Sequence, residues 1–213
     1  MCEMRAAVTR LQRSAGVVLA ATVLAACTSG PPPPVDRRPY EQQVLSDRAS
    51  KDEVFRTAAD SPIPAVQRTA FPGLPYFPVN PAYRVPASLL EDRAGQAVTI
   101  ALPTSTNDIR RMLKVGTLHF TLGGQSLALT AFAEDARSLH RLFVPFGDLT
   151  NRSETYGGGR YLDLDRTATG LYDLDFNRAY HPTCVYDPSY DCPVPPRENR
   201  LAIAIPAGER LAP

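Results

Sequence analysis

Alternation of apolar and polar residues predicts β-strands over most of the second half of this chain. The clearest case is the segment 113–132, in which Gly123-Gly124 separates two alternating runs. A two-residue turn at these glycines places Phe120 opposite Leu127, and it gives the two runs a shared buried face. Shorter alternating runs predict further strands at 97–102, 139–146, 160–164, 171–177 and 201–205.

The residues before this strand-rich region predict one helix and an irregular segment. Helix-forming residues fill 41–59, and Asp60-Ser61-Pro62 ends the helix. The segment 61–86 contains seven prolines together with several aromatic residues, which favours an ordered wrap without regular structure. Because no long helical pattern separates the strands, we expect a mainly β fold. We expect this fold to be a single antiparallel β-barrel or sandwich domain with one short N-terminal helix.

The N-terminus has the order of a secretory signal: three arginines, an apolar run at 16–26, and then Cys27. The sequence Leu24-Ala25-Ala26-Cys27 resembles the lipobox of bacterial lipoproteins. That resemblance implies cleavage before Cys27, lipidation of this cysteine, and sorting to the outer membrane where the source has one. The alternative is an ordinary signal peptide followed by an unmodified cysteine.

The chain therefore divides into a signal peptide at 1–26, a lipidated cysteine with a proline-rich tether at 27–39, and a β-rich domain at 40–213. Four consecutive prolines at 31–34 predict a stiff, extended spacer. Cleavage removes three Arg and one Glu from totals of 23 basic and 22 acidic residues, so the mature chain has a net charge of −1. We expect a lipid-anchored protein of the cell envelope whose partner is the membrane, with no nucleic-acid surface.

Two cysteines remain in the domain after processing, Cys184 and Cys192. In an oxidising compartment a disulfide between them is the preferred interpretation. Two alternatives stay open: His181 and both sulfurs as zinc ligands, or His181 as a base that activates Cys184. No fourth zinc ligand is evident, so no metal site is predicted.

The loop Gly157-Gly158-Gly159-Arg160 is a candidate anion site. Glycines allow successive backbone N–H groups to point at one spot, and Arg160 adds a forked donor. The alternative is a tight connection that leads into the next strand.

A second predicted hairpin, formed by 160–164 and 171–177, carries several acidic side chains on its outward face. They are Asp163, Asp165, Asp173 and Asp175, with Asn177 beside them. Like charges at cross-strand distance repel, so the aspartates require arginine partners, solvent or a cation such as calcium. Arginine pairing is the preferred interpretation.

Short motifs rich in Gly, Pro, Asn and aromatic residues fill the last third of the chain. They are Phe146, Asp148-Leu149-Thr150, the runs 155–162 and 174–177, Ala179-Tyr180, Pro182, Cys184, Cys192-Pro193, Pro195-Pro196, the run 198–201 and Ala207-Gly208-Glu209. This series resembles the bacterial domain-of-unknown-function family 1684, and Tyr76-Phe77-Pro78 extends the resemblance towards the N-terminus. The resemblance implies a β-rich domain of unknown activity. The family pattern more often has Asn at the position of His181, which argues against an obligatory ligand or base there.

Motif membership and polarity together select the candidate ligand-binding residues. They are Tyr156, Gly158, Arg160, Asp175, Asn177, Tyr180, Asn199 and Glu209. The leading hypothesis is a binding or structural module at the membrane surface that recognises a small polar ligand, a glycan or an envelope protein. One alternative is a hydrolase with Asp175, Glu198 or Glu209 as acid or base and Arg160 as an anion clamp; another is a split-barrel-like cofactor protein. No sequence fingerprint identifies a cofactor or a catalytic class.

Overall fold

The computed structural model of this chain describes residues 36–91 and 98–212. The predicted signal peptide, Cys27 and the four consecutive prolines lie outside the described residues. Within those residues the chain forms one long helix, one short helix and seven strands. They are α1 (Tyr40–Thr57), α2 (Ala65–Arg68), β1 (Arg84–Glu91), β2 (Val98–Pro103), β3 (Ile109–Leu122), β4 (Gln125–Ala133), β5 (Arg141–Phe146), β6 (Arg160–Asp165) and β7 (Leu171–Asp175).

The strands form an antiparallel sheet that curls into a nearly closed barrel, which confirms the predicted mainly β fold. The strand order is β6-β5-β4-β3-β1-β7, and β2 pairs with the first half of the long strand β3. Two backbone hydrogen bonds bring the ends of this order together: the Tyr161 amide donates to the Tyr180 carbonyl at 2.9 Å, and the Tyr180 amide donates back at 3.0 Å. The barrel closes through this bridge just after β7.

The β3–β4 hairpin has the predicted turn and the predicted register. Phe120 pairs with Leu127 across the hairpin. Gly123 and Gly124 have φ values of 58° and 76°, a left-handed conformation that glycine adopts without steric cost. The turn and the alternating burial therefore fix the same pairing.

Two parts of the strand prediction are wrong. The segment 201–205 is not a strand, because the backbone of Ile205 bonds to side chains: its amide donates to Asp148 at 3.2 Å and its carbonyl accepts from Arg160 at 2.8 Å. The strand predicted at 171–177 is also too long, since β7 ends at Asp175 and a 3₁₀ turn follows at Phe176–Arg178.

The main core fills the barrel interior, and a smaller apolar cluster lies on the outer face of the sheet. The interior contains fully buried side chains that include Leu118, Leu129, Leu142, Val144, Phe146, Leu162, Leu174 and Phe176. The outer cluster consists of Leu102, Met112 and Phe132, with Ile100 and Phe143 packed against it. Since neighbours along a strand point to opposite faces, β4 and β5 are apolar on both faces, and other parts of the chain must cover the outer one.

Helix α1 is attached to the barrel mainly by polar contacts, and Val44 is its one buried residue. Arg48 Nη1 donates to the Phe77 carbonyl at 2.9 Å, and the Tyr40 hydroxyl donates to Asp175 at 2.8 Å. Neither described helix combines the length and the apolar character that crossing a bilayer requires. Helix α1 therefore depends for its position on individual hydrogen bonds and ion pairs, together with the contacts of the Phe55 ring with Phe71 and Tyr186.

Candidate functional site

The predicted ligand-binding residues lie in four regions of the domain, two of which meet where Arg160 donates to the Glu209 carbonyl. Arg160 lies inside the domain against the C-terminal segment; Asp175, Asn177, Tyr180 and Glu209 lie near α1; Tyr156 and Gly158 lie beside the cysteines; Asn199 lies against β4 and β5. These residues therefore do not all meet in one polar cluster.

Arg160 is fully buried and binds the chain's own C-terminal segment. Its guanidinium donates to the carbonyl oxygens of Ile205 at 2.8 Å and Glu209 at 3.1 Å, and also to that of Ala207. It forms an ion pair with Asp148 at 2.8 Å, and both side chains have 0% exposure. Groups of the protein itself therefore bind this guanidinium, and Arg160 attaches the C-terminal segment to β6.

Glu209 is buried and accepts hydrogen bonds from three different parts of the chain. Lys51 Nζ on α1 donates to Oε1 at 2.5 Å, while the His181 amide and the Tyr186 hydroxyl donate to Oε2 at 2.7 and 2.8 Å. Burial, and after it the charge of Glu209, raises the pKa of Tyr186 well above its ordinary value. The preceding Gly208 has a φ of 78°, and an added Cβ would lie 2.5 Å from a backbone oxygen. In the Gly208-Glu209 motif, the backbone conformation thus requires the glycine, and the carboxylate of the glutamate holds neighbouring segments of the chain together.

Asp175 and Asn177 hold the end of β7 and the irregular segment that passes it. The Asp175 carboxylate accepts from the Tyr40 hydroxyl at 2.8 Å and from the Asn177 amide at 3.0 Å. The Asn177 side chain accepts from the Asn80 amide at 2.9 Å and donates to its carbonyl at 2.9 Å. Both side chains are buried, whereas the sequence predicted an outward face. Strand β7 therefore ends at Asp175, and a 3₁₀ turn follows it.

The four aspartates of the predicted second hairpin do not share a face. Strands β6 and β7 stand at opposite ends of the strand order and do not form a hairpin. Asp163 pairs with Arg141 at 3.1 Å, and Asp173 pairs with Arg84. Asp175 pairs with the neighbouring Arg178 at 3.1 Å. Arginine pairing is therefore present for three of them, but Arg84 comes from a strand that is not among the predicted ones, and Arg141 comes from a predicted strand outside the expected hairpin.

Asn199 replaces regular strand pairing between β4 and β5. Its side-chain oxygen accepts from the Thr130 amide at 2.7 Å, and its side-chain nitrogen donates to the carbonyls of Thr130 at 2.8 Å and Pro145 at 2.7 Å. The Asn199 side chain has no exposed surface. These three bonds satisfy backbone groups of both strands, so the role of this motif residue is structural.

Tyr156 and Gly158 lie next to the two cysteines. An added Cβ at Gly158 would collide with the Tyr156 ring, so the glycine allows this ring to pack. The Cys184 amide donates to Cys192 Sγ at 3.2 Å, and both cysteines are free thiols in the structure. Burial, followed by Cys184, raises the pKa of Cys192 to about 12. The predicted disulfide is thus not formed here, although the two residues are neighbours.

His181 is buried between these residues and Glu209. Its Nε2 accepts from the Tyr156 amide at 3.2 Å, and its Nδ1 lies 3.8 Å from a carboxylate oxygen of Glu209. Burial and then the charges of Arg160 and Lys51 lower the pKa of His181 to about 3. The ring is therefore neutral at physiological pH. Among residues 36–91 and 98–212, no three His, Cys, Asp or Glu side chains are grouped in a way that suits a metal ion.

The residues expected to serve a hydrolase are likewise dispersed. Glu198 is exposed on a 3₁₀ turn, whereas Asp175 and Glu209 are buried and accept hydrogen bonds from the protein. Arg160 faces none of these carboxylate groups directly, since its ion pair is with Asp148. The geometry of the described residues does not assemble the proposed acid, base and anion clamp.

A groove of about 660 Å³ lies on the outer face of the sheet. Met112, Phe143 and Tyr161 contribute to its lining from β3, β5 and β6, while Tyr180 and Tyr190 contribute from the segment that follows β7. Its volume is within the roughly 300–1,000 Å³ of small-molecule sites. Tyr180 is the member of the predicted ligand-binding set that reaches this groove.

Polar groups beside these rings retain unused hydrogen-bonding capacity. Asp163 Oδ2 accepts from the Tyr180 hydroxyl at 2.8 Å and from Arg141 at 3.1 Å, which leaves Oδ1 without a donor from the described residues. Arg110 donates one hydrogen bond to a backbone carbonyl at 3.0 Å and has further N–H groups available. Glu134 also lines the groove. The groove thus offers donors and acceptors next to aromatic faces.

Sequence reasoning missed most of the groove, although β5 carried a usable signal. Leu142 and Val144 point into the core, and Phe143 between them is also apolar. A strand that is apolar on both faces must be covered on both, which predicts a covering segment. The identity of that segment depends on tertiary structure.

Comparison with known proteins supports this description of the domain. The chain is 40% identical in sequence to an uncharacterized protein of Haloarcula marismortui whose solution NMR structure superposes with a TM-score of 0.63, over 81% of this chain and 94% of that one. A comparison with curated proteins gives no match. The bacterial source and the lipoprotein signal stay predictions. A family model matches residues 69–210, and the chain therefore belongs to the family described as "Protein of unknown function (DUF1684)".

Proposed function

We propose that this protein is an envelope lipoprotein whose barrel binds a small polar ligand of the glycan type in the groove. The observation that carries the proposal is the combination of aromatic rings and unused polar groups in one open depression of about 660 Å³. Sugar rings present apolar C–H faces and a rim of hydroxyls, so they require both kinds of surface at once. The groove supplies both within the same walls.

The charges of the groove favour a ligand without strong charge of its own. Arg110 and Arg141 are basic, whereas Glu134, Asp163 and Asp191 are acidic. Carboxylates accept from ligand hydroxyls and guanidinium groups donate to them, and such charge-assisted hydrogen bonds are stronger than neutral ones. A polyanion would meet three carboxylates at close range. A neutral polyhydroxylated ligand fits the mixed charges better.

The proposed anchoring explains how the groove would reach its ligand. Residues 28–39 would lie between lipidated Cys27 and the first residue of α1, and twelve residues in a fully extended polyproline conformation span about 37 Å. Lipid chains on Cys27 would hold the barrel at the membrane surface. In the oxidising envelope, Cys184 and Cys192 would then pair and fix the groove wall to which Cys192 belongs.

A binding experiment with two matched aspartate variants tests the ligand proposal. Full-length protein in detergent micelles is titrated by calorimetry with neutral, acidic and phosphorylated oligosaccharides. We expect neutral oligosaccharides to bind, and Asp163→Asn to weaken binding about tenfold because one charge-assisted acceptor is lost. Asp173→Asn is the control, since this aspartate pairs with Arg84 and does not line the groove. Absence of oligosaccharide binding, or equal weakening in both variants, would contradict the proposal.

The intact mass of membrane-extracted protein tests the anchoring and the disulfide together. We expect a chain that starts at Cys27 and carries acyl groups, with a further loss of two hydrogens relative to the reduced form. Cys27→Ser should abolish the acyl mass. A chain that retains residues 1–26 without lipid would contradict the anchoring, and two free thiols in the extracted protein would contradict the pairing.

A further inference from the structure

A second, smaller cavity of about 160 Å³ lies between α1 and the barrel, and Tyr180 is the residue that it shares with the lining of the proposed glycan groove. Its lining includes Arg48 and Lys51 from α1, Tyr76 from the irregular segment, and Asn177 and Glu209 from the motif region. A water molecule occupies about 30 Å³ of liquid, so the space corresponds to roughly five waters. It is large enough for a small ion and too small for a sugar ring with its substituents.

Arg48 differs from the other cations of the cavity because it contacts no carboxylate among the described residues. Lys51 pairs with Glu209 at 2.5 Å, and Arg178 pairs with Asp47 and, at 3.1 Å, with Asp175 outside the lining. The Arg48 guanidinium instead donates to two backbone carbonyls, those of Phe77 at 2.9 Å and Asn177 at 3.2 Å.

Two buried polar atoms at this cavity have no hydrogen-bond partner. They are Arg48 Nε and the Tyr76 hydroxyl, and the Arg48 guanidinium lies 4.4 Å from the centroid of the Tyr76 ring. An unsatisfied buried polar group costs roughly 1–3 kcal/mol. Burial also lowers the pKa of Arg48, as expected for a cation without a direct counter-ion. Both orphan groups belong to residues that line the same space, which points to a missing acceptor.

The surplus of donors defines the chemistry of that acceptor. Arg48 Nε can only donate, the Tyr76 hydroxyl can donate, and the Lys51 ammonium has three N–H groups, one of which bonds to Glu209. We propose that the cavity beneath α1 is a site for a small oxyanion, of the size of phosphate or a short carboxylate, held by Arg48, Lys51 and Tyr76. The anion would complete the attachment of α1 to the barrel.

Thermal unfolding of full-length protein in micelles tests this proposal. Unfolding is followed at constant ionic strength while chloride is replaced by inorganic phosphate or by acetate. A ligand that binds only the folded state raises the midpoint as its concentration increases. We expect such a rise with at least one of the two anions, and the comparison of phosphate with acetate identifies the preferred oxyanion. No rise with either anion would overturn the proposal and indicate that water fills the cavity.

Tyr76→Phe separates anion binding from ordinary stability. The Tyr76 hydroxyl is buried without a partner in the protein, so its removal should not lower the midpoint in chloride, and relief of the unsatisfied group should raise it, while anion binding weakens about tenfold. Tyr83→Phe is the matched control, because Tyr83 does not line this cavity, and it should retain the full anion response. Arg48→Met should abolish the response. An equal anion response in Tyr76→Phe and the unmodified protein would overturn the proposal.

Failure of this proposal is distinguishable from failure of the glycan proposal. Asp163→Asn alters the groove and lies outside the lining of the cavity, so its anion response should equal that of the unmodified protein. A loss of the anion response in Asp163→Asn would overturn the assignment to the cavity beneath α1.

Discussion

Two arginines, Arg160 and Arg48, show how differently the same side chain is used in two regions of this barrel. Arg160 is fully buried, pairs with Asp148 at 2.8 Å, and donates to carbonyls of the C-terminal segment. Arg48 is partly buried, donates to two carbonyls, and has no carboxylate partner among the described residues. Both side chains leave Nε without a partner, so the difference between the two regions is the counter-ion: Arg160 has a buried carboxylate, and Arg48 has none among the described residues.

This difference shows that, in this domain, the presence of a residue in a dense sequence motif does not indicate that the residue binds a ligand. Arg160, Asn199 and Gly208 belong to the dense motifs, and each has a structural explanation in the backbone that it holds or permits. Arg48 lies on α1, which precedes the matched residues 69–210 of the family model. A partly buried cation without a carboxylate partner therefore identifies a candidate site here better than motif membership does.

The largest expected effect comes from removing the counter-ion of Arg160. Asp148→Asn keeps the shape of the side chain and leaves a fully buried guanidinium without a carboxylate. Breaking a buried ion pair from one side costs about 3–5 kcal/mol. We expect a loss of that size in the free energy of unfolding, measured by urea denaturation.

Asp173→Asn is the matched control for this measurement. The Arg84 and Asp173 side chains are 42% and 53% exposed, and exposed ion pairs contribute at most about 1 kcal/mol. Equal losses in the two variants would contradict the structural role assigned to the Arg160 region.

An effect of intermediate size is expected from the protonation of His181, which changes the free energy of unfolding with pH. His181 is buried, and it is close enough to both regions for Arg160 and Lys51 also to lower its pKa. Burial and these two charges lower the pKa of His181 to about 3 from an ordinary value of 6.5. Below pH 6.5 the unfolded chain binds a proton at this residue that the folded chain does not bind. The contribution of His181 to the free energy of unfolding is therefore full above that pH and is lost as the pH falls towards 3. We expect the free energy of unfolding to decrease by about 2 kcal/mol between pH 7 and pH 5.

His181→Asn tests the assignment of this acid sensitivity. Urea denaturation at pH 7 and pH 5 should give nearly equal free energies of unfolding for the variant, since asparagine does not titrate. His119→Asn is the control, because His119 is exposed and should leave the pH dependence unchanged. A full 2 kcal/mol loss in His181→Asn would assign the acid sensitivity to other groups.

The β3–β4 hairpin shows how much of the fold the sequence determines locally. Alternation sets the buried face of each run, and Gly123-Gly124 sets the turn, so the register follows from neighbouring residues alone. Strand β1 is not among the separately predicted strands, and its Pro86 is a residue that is rare in strand interiors. In the structure Pro86 pairs with Asp173 of β7, and the pairing of β1 with β3 begins at the next residue, Ala87; this pairing of distant segments is not encoded in local sequence.

The candidate site was less predictable because its parts come from distant segments. Tyr180, a predicted ligand-binding residue, lines the groove, but Phe143 and Tyr161 reach the same groove from strands that are far apart in the sequence. Arg160 and Glu209 were recognised as unusual polar residues, and their burial reversed the expected role. The sequence thus indicates that such a polar residue has a specific role, but the hydrogen-bond partners that define this role are known only from the fold.

The smallest expected effect concerns the attachment of α1 and tests whether this region opens independently of the barrel. Tyr40→Phe removes the hydrogen bond from α1 to Asp175, which keeps its bonds from Asn177 and Arg178. Loss of one partly exposed hydrogen bond costs about 1 kcal/mol. Amide hydrogen exchange in α1 should accelerate about fivefold, while exchange in β3 and β4 should stay unchanged.

Tyr190→Phe controls for the loss of a tyrosine hydroxyl, since Tyr190 is 43% exposed and lies away from α1. It should leave α1 exchange unaltered. Equal acceleration of α1, β3 and β4 in Tyr40→Phe would mean that the helix opens only when the whole barrel unfolds. In that case the polar contacts of α1 would belong to the same cooperative unit as the Arg160 region, and the contrast between the two regions would not extend to their dynamics.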